Sequence, residues 1–345
     1  MSDFALIKDL KDADLRYIDS NVPGIFRKAK GSGFNYFDLD GKITNKITLE
    51  RIKELKIPPA WKNVWICPSS SGYLQATGMD AKARKQYIYH PKWRQICQEN
   101  KFNKLTDFAK VLPKIREKVK YDLGGSNLDK ARILAAVVWL LEHTFIRVGN
   151  EEYVKTNDSF GLTTLRNRHV RVWGDQIKFE FKGKSGVYHS VSIDHPSVAR
   201  VIKKCLELPG FEIFQYVDNQ GFRHVVDSEH VNLYLKATTG ENISAKEFRT
   251  WGGTTLCAQN LNTFGHCKSE EILNKNIKET VTAVAKHLRN TTKVCQNYYI
   301  HPVILETYKK NIFIPEYRKS LKSKNKPSGL SKEEFAVLNL IENYS

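Results

Sequence analysis

Near its C-terminal end the chain reads Lys293-Val294-Cys295-Gln296-Asn297-Tyr298-Tyr299-Ile300-His301-Pro302. A tyrosine there is a candidate nucleophile in a chain of net charge +18, with 55 Lys+Arg against 37 Asp+Glu. Three cationic elements lie upstream: Arg147 in Ile-Arg-Val-Gly-Asn, Lys184 in Phe-Lys-Gly-Lys-Ser-Gly, and Lys246 with Arg249 in Lys-Glu-Phe-Arg-Thr-Trp. Attack on a phosphodiester calls for such groups: a nucleophile, cations for the non-bridging oxygens and a proton for the leaving oxygen. Tyrosine is a poor nucleophile at its free pKa of about 10. Cations on the phosphate favour its phenolate-like transition state, and a tyrosyl phosphodiester retains the bond energy, so rejoining requires no ATP. No metal or nucleotide motif accompanies these residues.

Each residue taken alone has a plainer reading. Tyr299, like its neighbour Tyr298, suits an amphipathic core position. Arg147 suits a helix C-terminus, where it would answer the dipole and the free carbonyls. Lys184 suits an exposed turn, and Lys246 and Arg249, three apart, suit a solvated basic helix face. As a general acid, Lys184 would need a lowered pKa, which nearby arginines supply by like-charge repulsion. An arginine fork matches two phosphate oxygens better than a lysine does.

The rest of the chain must position these groups. Its 345 residues suit two domains, and 41% hydrophobic with 27% charged residues is ordinary for a globular protein. The basic surplus favours a polyanionic partner, for which nucleic acid is the usual candidate, against a merely nonspecific basic surface. Six cysteines, none at C-x-x-C spacing, argue against a disulfide framework and for a reducing compartment. Cys257, His266 and Cys267 match no zinc pattern. The charged N-terminus is no secretory signal, and no apolar run approaches the ~20 residues of a membrane span.

Up to about Trp93 the chain reads as strand-rich, with a hairpin turn at Asp40-Gly41 and short β-type runs at Val64–Cys67, Tyr73–Thr77 and Gln86–Tyr89. Beyond it the pattern is mainly helical. Ser126…Asp129 resembles a capping box opening a helix that the apolar spacing carries through Phe145 and Ile146 to Gly149, with Arg147 in its last turn. Gln176–Phe181 and Val187–Ile193 alternate as strands around a turn that bears Lys184. Ser244…Glu247 is a capping box for the helix of Lys246 and Arg249, another helix ends near Asn290, and Pro302 suits the first turn of a further one. The stretch 308–327, with seven Lys/Arg and one Glu, reads as an exposed basic tail. The expected domains are residues 1–93, β-rich and DNA-binding, and residues 94–345, mainly α and catalytic with that tail.

Periodicity does not assemble these parts, but a family resemblance does. Ile57–Pro68, Gly72–Pro91, Ile146–Tyr153, Phe160–His169, Ala245–Trp251 and Val294–Pro302 look like the motifs of type IB DNA topoisomerases of the poxvirus-like and bacterial group. The match runs in order from about residue 22 to about 310. The resemblance implies an α+β fold: a small β-rich domain and a larger, mainly helical, tyrosine-recombinase-like catalytic domain with a short β-hairpin sheet, together a C-shaped clamp on double-stranded DNA. It implies Tyr299 as nucleophile, Arg147 and Arg249 on the non-bridging oxygens and Lys184 as proton donor to the 5′ oxygen. Asn290 stands nine residues before Tyr299, where poxvirus and eukaryotic relatives carry histidine and bacterial ones commonly asparagine; its amide donates a hydrogen bond but brings no charge. Lys246 and Tyr153 would flank the site as DNA contacts. Arg84, Gln86, Tyr87 and Tyr89 fall where the family's N-terminal domain touches the major groove and backbone, although Tyr87 and Tyr89, two apart, also suit one packed face of a strand. The implied protein is a cytoplasmic, nucleoid-associated monomer without metal, ATP, other small-molecule cofactor or membrane contact. Its rivals are a tyrosine recombinase, which usually presents His-x-x-Arg where this chain has Lys246-Glu-Phe-Arg249, and a noncatalytic DNA-binding protein of the same fold.

Overall fold

The structure, a computed structural model, describes residues 3–267 and 269–345. The chain divides into two compact units, Met1–Lys101 and Phe102–Ser345. The first holds α1 (Asp3–Asp12), β1 (Ile25–Lys30), β2 (Gly33–Asp38), β3 (Gly41–Lys42), α2 (Lys46–Glu54), β4 (Lys62–Ile66), β5 (Leu74–Met79) and β6 (Lys85–Tyr89). Its strands form one antiparallel sheet in the order β3-β2-β1-β4-β5-β6. The Asp40-Gly41 turn closes the β2–β3 hairpin, with Asp38 opposite Gly41. The two helices, α1 and α2, are elements that the strand-rich reading of this region left out.

Several of the motif-like segments of the first unit serve packing. Arg27 donates to the carbonyls of Pro58 at 3.1 Å and Trp61 at 2.6 Å, which fastens the Ile57–Trp61 loop to β1. The buried amide of Gln75 donates to the Gly72 carbonyl at 2.7 Å and closes the turn before β5. Ile25, Ile52, Val64, Ile66 and Ala76 form the core between the sheet and α2.

The second unit is mainly helical. A long helix, α3 (Pro91–Leu123), enters it from the first. There follow α4 (Lys130–Thr144), α5 (Glu151–Asn157), β7 (Val170–Trp173), β8 (Gln176–Lys182), β9 (Tyr188–Asp194) and α6 (Pro196–Leu206). The chain continues through β10 (Gln215–Val217), β11 (Arg223–Val225), α7 (Ser228–Thr239), α8 (Ala245–Phe264), α9 (Glu270–Leu288), α10 (Thr292–Tyr299), α11 (Pro302–Lys309), α12 (Phe313–Leu321) and α13 (Lys332–Tyr344). Strands β7, β8 and β9 make an antiparallel three-stranded sheet, and β10 pairs with β11. No helix among the described residues is long and apolar enough to cross a membrane.

Three local expectations need correction. Asp129, not Ser126, caps α4, accepting from the Arg132 N–H at 2.9 Å. The helix ends at Thr144 rather than Gly149: Phe145 turns left-handed at φ 52°, and Thr144 Oγ1 bonds the Leu140 carbonyl and receives the Ile146 N–H. Arg147 therefore leaves the helix and lies in an extended segment. The apolar spacing overran the true end because Ile146 is buried by the loop it belongs to. Finally, the basic stretch 308–327 is no exposed tail: α12 packs on α13, and Phe313 and Tyr317 are fully buried, while the lysines and arginines sit on the outer face. The helical period hides two buried aromatics four residues apart inside a charged run.

A buried ionic junction ties this unit together. Arg116 of α3 bonds Glu142 of α4 at 2.7 Å and Glu334 of α13 at 2.7 and 2.9 Å, and Trp251 of α8 donates its indole N–H to Glu334 at 3.0 Å. Burial raises the Glu334 pKa, but the hydrogen bonds from Arg116 and the Ser331 backbone outweigh it, and the net shift is downward. Removing one partner leaves the others short of a counter-charge, so Glu334→Ala should lower stability by about 3 kcal/mol. Urea denaturation checks this; a loss below about 1 kcal/mol would show that the junction is incidental.

Candidate active site

The site is built around the guanidinium of Arg249, on the second turn of α8 and only 4% exposed. The Ser244–Glu247 capping box fixes where α8 begins, with Glu247 accepting the Ser244 N–H at 2.9 Å. Arg249 donates through Nη1 to the Phe145 carbonyl at the end of α4, and through Nη2 to the Leu288 carbonyl at the end of α9, at 2.8 Å. Two helix C-termini thus present their negative ends to one buried cation. Its Cζ stands 5.0 Å from the centre of the Tyr299 ring, and its buried Nε has no hydrogen-bond partner. Burial first, and then the charge of Arg147, pull the Arg249 pKa down to about 10, with Tyr299 opposing; the guanidinium stays charged at neutral pH.

Arg147 arrives from the loop after α4. The Leu162 N–H donates to its carbonyl at 2.9 Å and the Thr163 N–H to that of Val148 at 2.7 Å, so the backbone is held as if in a short ladder. Gly161 is required there: an added Cβ would stand 2.6 Å from the Arg147 carbonyl oxygen. Arg147 Nη2 donates to Asn290 Oδ1 at 2.7 Å, which joins two predicted site residues 143 positions apart. Asn290 follows Arg289, the left-handed cap of α9 at φ 53°.

Tyr299 is the last residue of α10 and half-buried, whereas Tyr298 is 47% exposed. Of the two, it is Tyr299 that faces Arg249. Its backbone lies against α8 at Thr254, whose Oγ1 donates to the Thr250 carbonyl at 2.7 Å, accepts from the His301 N–H at 3.0 Å and stands 3.4 Å from the Tyr299 carbonyl. A Cβ on Gly253 would come within 2.6 Å of the Tyr299 carbonyl, so a glycine lets the helix approach this closely. His301 then caps α11, accepting from the Val303 N–H at 3.2 Å, and Pro302 takes the first helical position.

Lys184 sits, as the alternation predicted, on the exposed turn between β8 and β9. Its ammonium lies 5.9 Å from the ring centre of Tyr153, a half-exposed residue on the short helix α5. Below the turn, His189 is 4% exposed, stacked on Phe181 at 4.6 Å and without a partner at Nδ1. Burial, followed by the charges of Arg289, Arg147 and Arg249, pushes its pKa down to about 4. Lys246 is exposed on the first turn of α8. Among the described residues, Arg147, Lys184, Lys246 and Arg249 form no ion pair with a carboxylate. Cations without a carboxylate partner, Arg249 among them beside the Tyr299 ring, suit a polyanion. Among the described residues, no group of three or more His, Cys, Asp or Glu could hold a metal ion. A cavity of about 870 Å³ beside Phe145 and α8 includes none of Arg147, Lys184, Asn290 or Tyr299 in its lining.

The four candidates of the first unit form their own patch. Arg84 and Gln86 both donate to Asp80 Oδ2, at 2.8 and 3.0 Å, and the hydrogen bond from Arg84 chiefly holds the Asp80 pKa down at about 2. Tyr87 and Tyr89 stack at 6.0 Å on one face of β6. Tyr87 is 48% exposed, while Tyr89 packs on Tyr73, and burial raises its pKa. Sequence reasoning passed over Gly161, Thr163, His189, Gly253, Thr254 and Arg289. Gly253, in mid-helix, and the Phe160–Thr164 run carried the only visible signal.

Two family models match. One is described as eukaryotic DNA topoisomerase I, catalytic core, and covers residues 90–326; the other, bacterial DNA topoisomerase IB, N-terminal domain, covers residues 33–80. A DNA topoisomerase 1B of Acanthamoeba polyphaga mimivirus is 33% identical over 305 residues, spanning 86% of this chain and 90% of the relative. A DNA topoisomerase 1 of rabbit fibroma virus is 26% identical over 75% of this chain and 81% of the relative, and a DNA topoisomerase 1B of vaccinia virus is 26% identical over 69% and 73%. The chain belongs to the type IB DNA topoisomerases, a family of isomerases.

Three buried histidines in this unit, His169, His189 and His301, have pKa values lowered from 6.5 to about 4, chiefly by burial. Unfolding lets them bind protons at their ordinary pKa, so the unfolded state gains protons between the two values. Stability should be fully present above pH 6.5 and fall as pH drops from 6.5 towards 4. His301→Asn, which keeps a capping acceptor, should flatten that slope in a melting-temperature series; an unchanged slope would exclude His301 as a contributor.

Proposed function

We propose that the protein relaxes positive and negative supercoils in double-stranded DNA by cutting and resealing one strand through Tyr299, without metal or ATP. The observation that carries this reading is the Tyr299 ring 5.0 Å from a guanidinium anchored on the two helix ends that lead to Arg147 and Asn290. Arg147 and Arg249 neutralise the non-bridging oxygens of the bound phosphodiester. Asn290, whose Oδ1 accepts from Arg147 and whose Nδ2 donates to the Leu288 carbonyl at 3.4 Å, offers its other Nδ2 proton to the same phosphate. The Tyr299 oxygen attacks phosphorus as its phenolic proton passes to water, the P–O5′ bond breaks, and the Lys184 ammonium gives its proton to the departing 5′ oxygen. The products are a 3′-phosphotyrosyl link and a free 5′-hydroxyl. The cut strand swivels about the intact one, and the reverse attack by the 5′-hydroxyl expels Tyr299 and restores the strand.

Lys246 and Tyr153 bind the backbone beside the scissile phosphate. Arg84, Gln86 and Tyr87 offer the first unit's DNA contacts, with Tyr89 a packing residue that supports Tyr87. The protein acts as a cytoplasmic monomer on nucleoid DNA, with salt-dependent affinity set by its +18 charge. Lys246-Glu-Phe-Arg249 and the match of residues 33–80 to a topoisomerase N-terminal domain favour relaxation over recombination.

The test is plasmid relaxation in EDTA without nucleotide. The wild-type chain should relax both supercoil signs, Tyr299→Phe should lose relaxation while keeping DNA binding, and Tyr298→Phe should remain active. Lys184→Ala should slow the reaction by about 10² to 10⁴, the usual worth of a general acid. Activity surviving in Tyr299→Phe, or synapsis of defined sites without relaxation, would overturn the reading.

A further inference from the structure

Leu288, Arg289 and Asn290 are consecutive, and each holds a different part of the site. The Leu288 carbonyl accepts from Arg249 at 2.8 Å, and Asn290 Oδ1 accepts from Arg147 at 2.7 Å. Between them, Arg289 donates through Nη1 to the Tyr188 carbonyl and through Nη2 to the Ser190 carbonyl, both at 2.7 Å. Carbonyls two residues apart point to one side of a strand. Strand β9 lies at the edge of its sheet, so this side has no strand to pair with. The guanidinium takes the place of one.

We infer that Arg289 is a positioning residue for strand cleavage: it fastens the hairpin that carries Lys184 to the end of α9 that carries Asn290. The inference rests on the reading of Lys184 as proton donor. Two further observations support it. The first is the backbone of Arg289, left-handed at φ 53° and ψ 54°, a conformation that glycine adopts at no steric cost and arginine does not. The side chain carried at that strained position is the one that bonds β9. The second is the route from the clamp to the turn. The two bonded carbonyls flank His189, whose buried ring stacks on Phe181 directly beneath Gly183, where an added Cβ would lie 2.5 Å from Nε2. Moving β9 therefore moves the floor of the turn, and Lys184 with it. The turn's own bonds run from the Gly183 N–H to the Val187 carbonyl at 2.8 Å and from the Gly186 N–H to the Gly183 carbonyl at 3.1 Å, while at its base the Phe160 N–H bonds the Lys182 carbonyl at 2.9 Å and none of these reaches α9. A proton donor on an exposed hairpin needs such an external strut, because misplacement by 1 Å can cost about 10²-fold in rate.

The experiment compares full-length wild type, Arg289→Gly, Arg289→Lys, Lys184→Ala and the Arg289→Gly/Lys184→Ala double variant. It measures melting temperature, DNA binding by gel shift, and plasmid relaxation at enzyme excess. Arg289→Gly relieves the left-handed strain, so its melting temperature should equal or exceed that of wild type, with unchanged DNA binding. Its relaxation should nevertheless slow by about tenfold to 100-fold. Arg289→Lys, which reaches only one carbonyl, should lie between the two. In the Lys184→Ala background the glycine substitution should change the rate by no more than about twofold, since it acts through the lysine. Relaxation by Arg289→Gly at the wild-type rate, a full multiplicative loss in the double variant, or a lowered melting temperature that accounts for the loss would each overturn the inference and leave the proposed function standing. A Lys184→Ala variant as fast as wild type would overturn both.

Discussion

A single buried guanidinium determines where everything else in the catalytic unit can stand. Arg249 has no carboxylate partner, and its charge is met by the carbonyl ends of α4 and α9. Burying a cation against neutral acceptors is costly, and the cost falls when oriented helix ends point at it. Both helices end in left-handed residues, Phe145 and Arg289, and the chain emerging from each carries a further site residue, Arg147 from α4 and Asn290 from α9. The arrangement leaves Arg249 with donors to spare, an unpartnered Nε among them, beside a tyrosine.

Around that hub, tethers of a second kind hold each functional group by its backbone. Arg147 is held by the Phe160–Thr164 turn, Tyr299 by Gly253 and Thr254, and the Lys184 hairpin by Arg289. Hydrogen bonds to main-chain atoms leave the side chains free to meet a ligand, and they fix the Cα positions from which those side chains project. The Arg116–Glu142–Glu334 junction works at longer range, locking α3, α4 and α13 on the side of α8 where Trp251 lies. The buried histidines are held neutral, as caps and ring contacts, and this makes the unit sensitive to acid.

The first unit uses polar groups differently. Its sheet and loops are stitched by Arg27 and Gln75, so much of what makes Ile57–Pro68 and Gly72–Pro91 look like motifs reflects folding rather than contact with a ligand. Arg84 and Gln86 share the Asp80 carboxylate, which presents them in a set orientation. Tyr87 and Tyr89 divide two roles that strand spacing left open: stacked on one face, Tyr87 is the more exposed ring and Tyr89 packs on Tyr73.

The sequence by itself determined whatever depends on neighbours along the chain. The hairpin bearing Lys184 follows from period-two alternation, the start of α8 from the Ser244–Glu247 box, the start of α11 from Pro302, and the family from motifs in a fixed order. Tertiary structure alone decided where α4 ends, since Phe145 must turn its carbonyl to Arg249 at a point where apolar spacing runs on. It also decided that residues 308–327 carry a packed helix, that Tyr299 rather than Tyr298 faces the guanidinium, and that Asn290 meets Arg147 across 143 residues. Hydrophobic periodicity reports which face of an element is buried. A hydrogen bond between two polar groups distant in sequence leaves no period, and it becomes visible only when packing has brought the ends of the helices together.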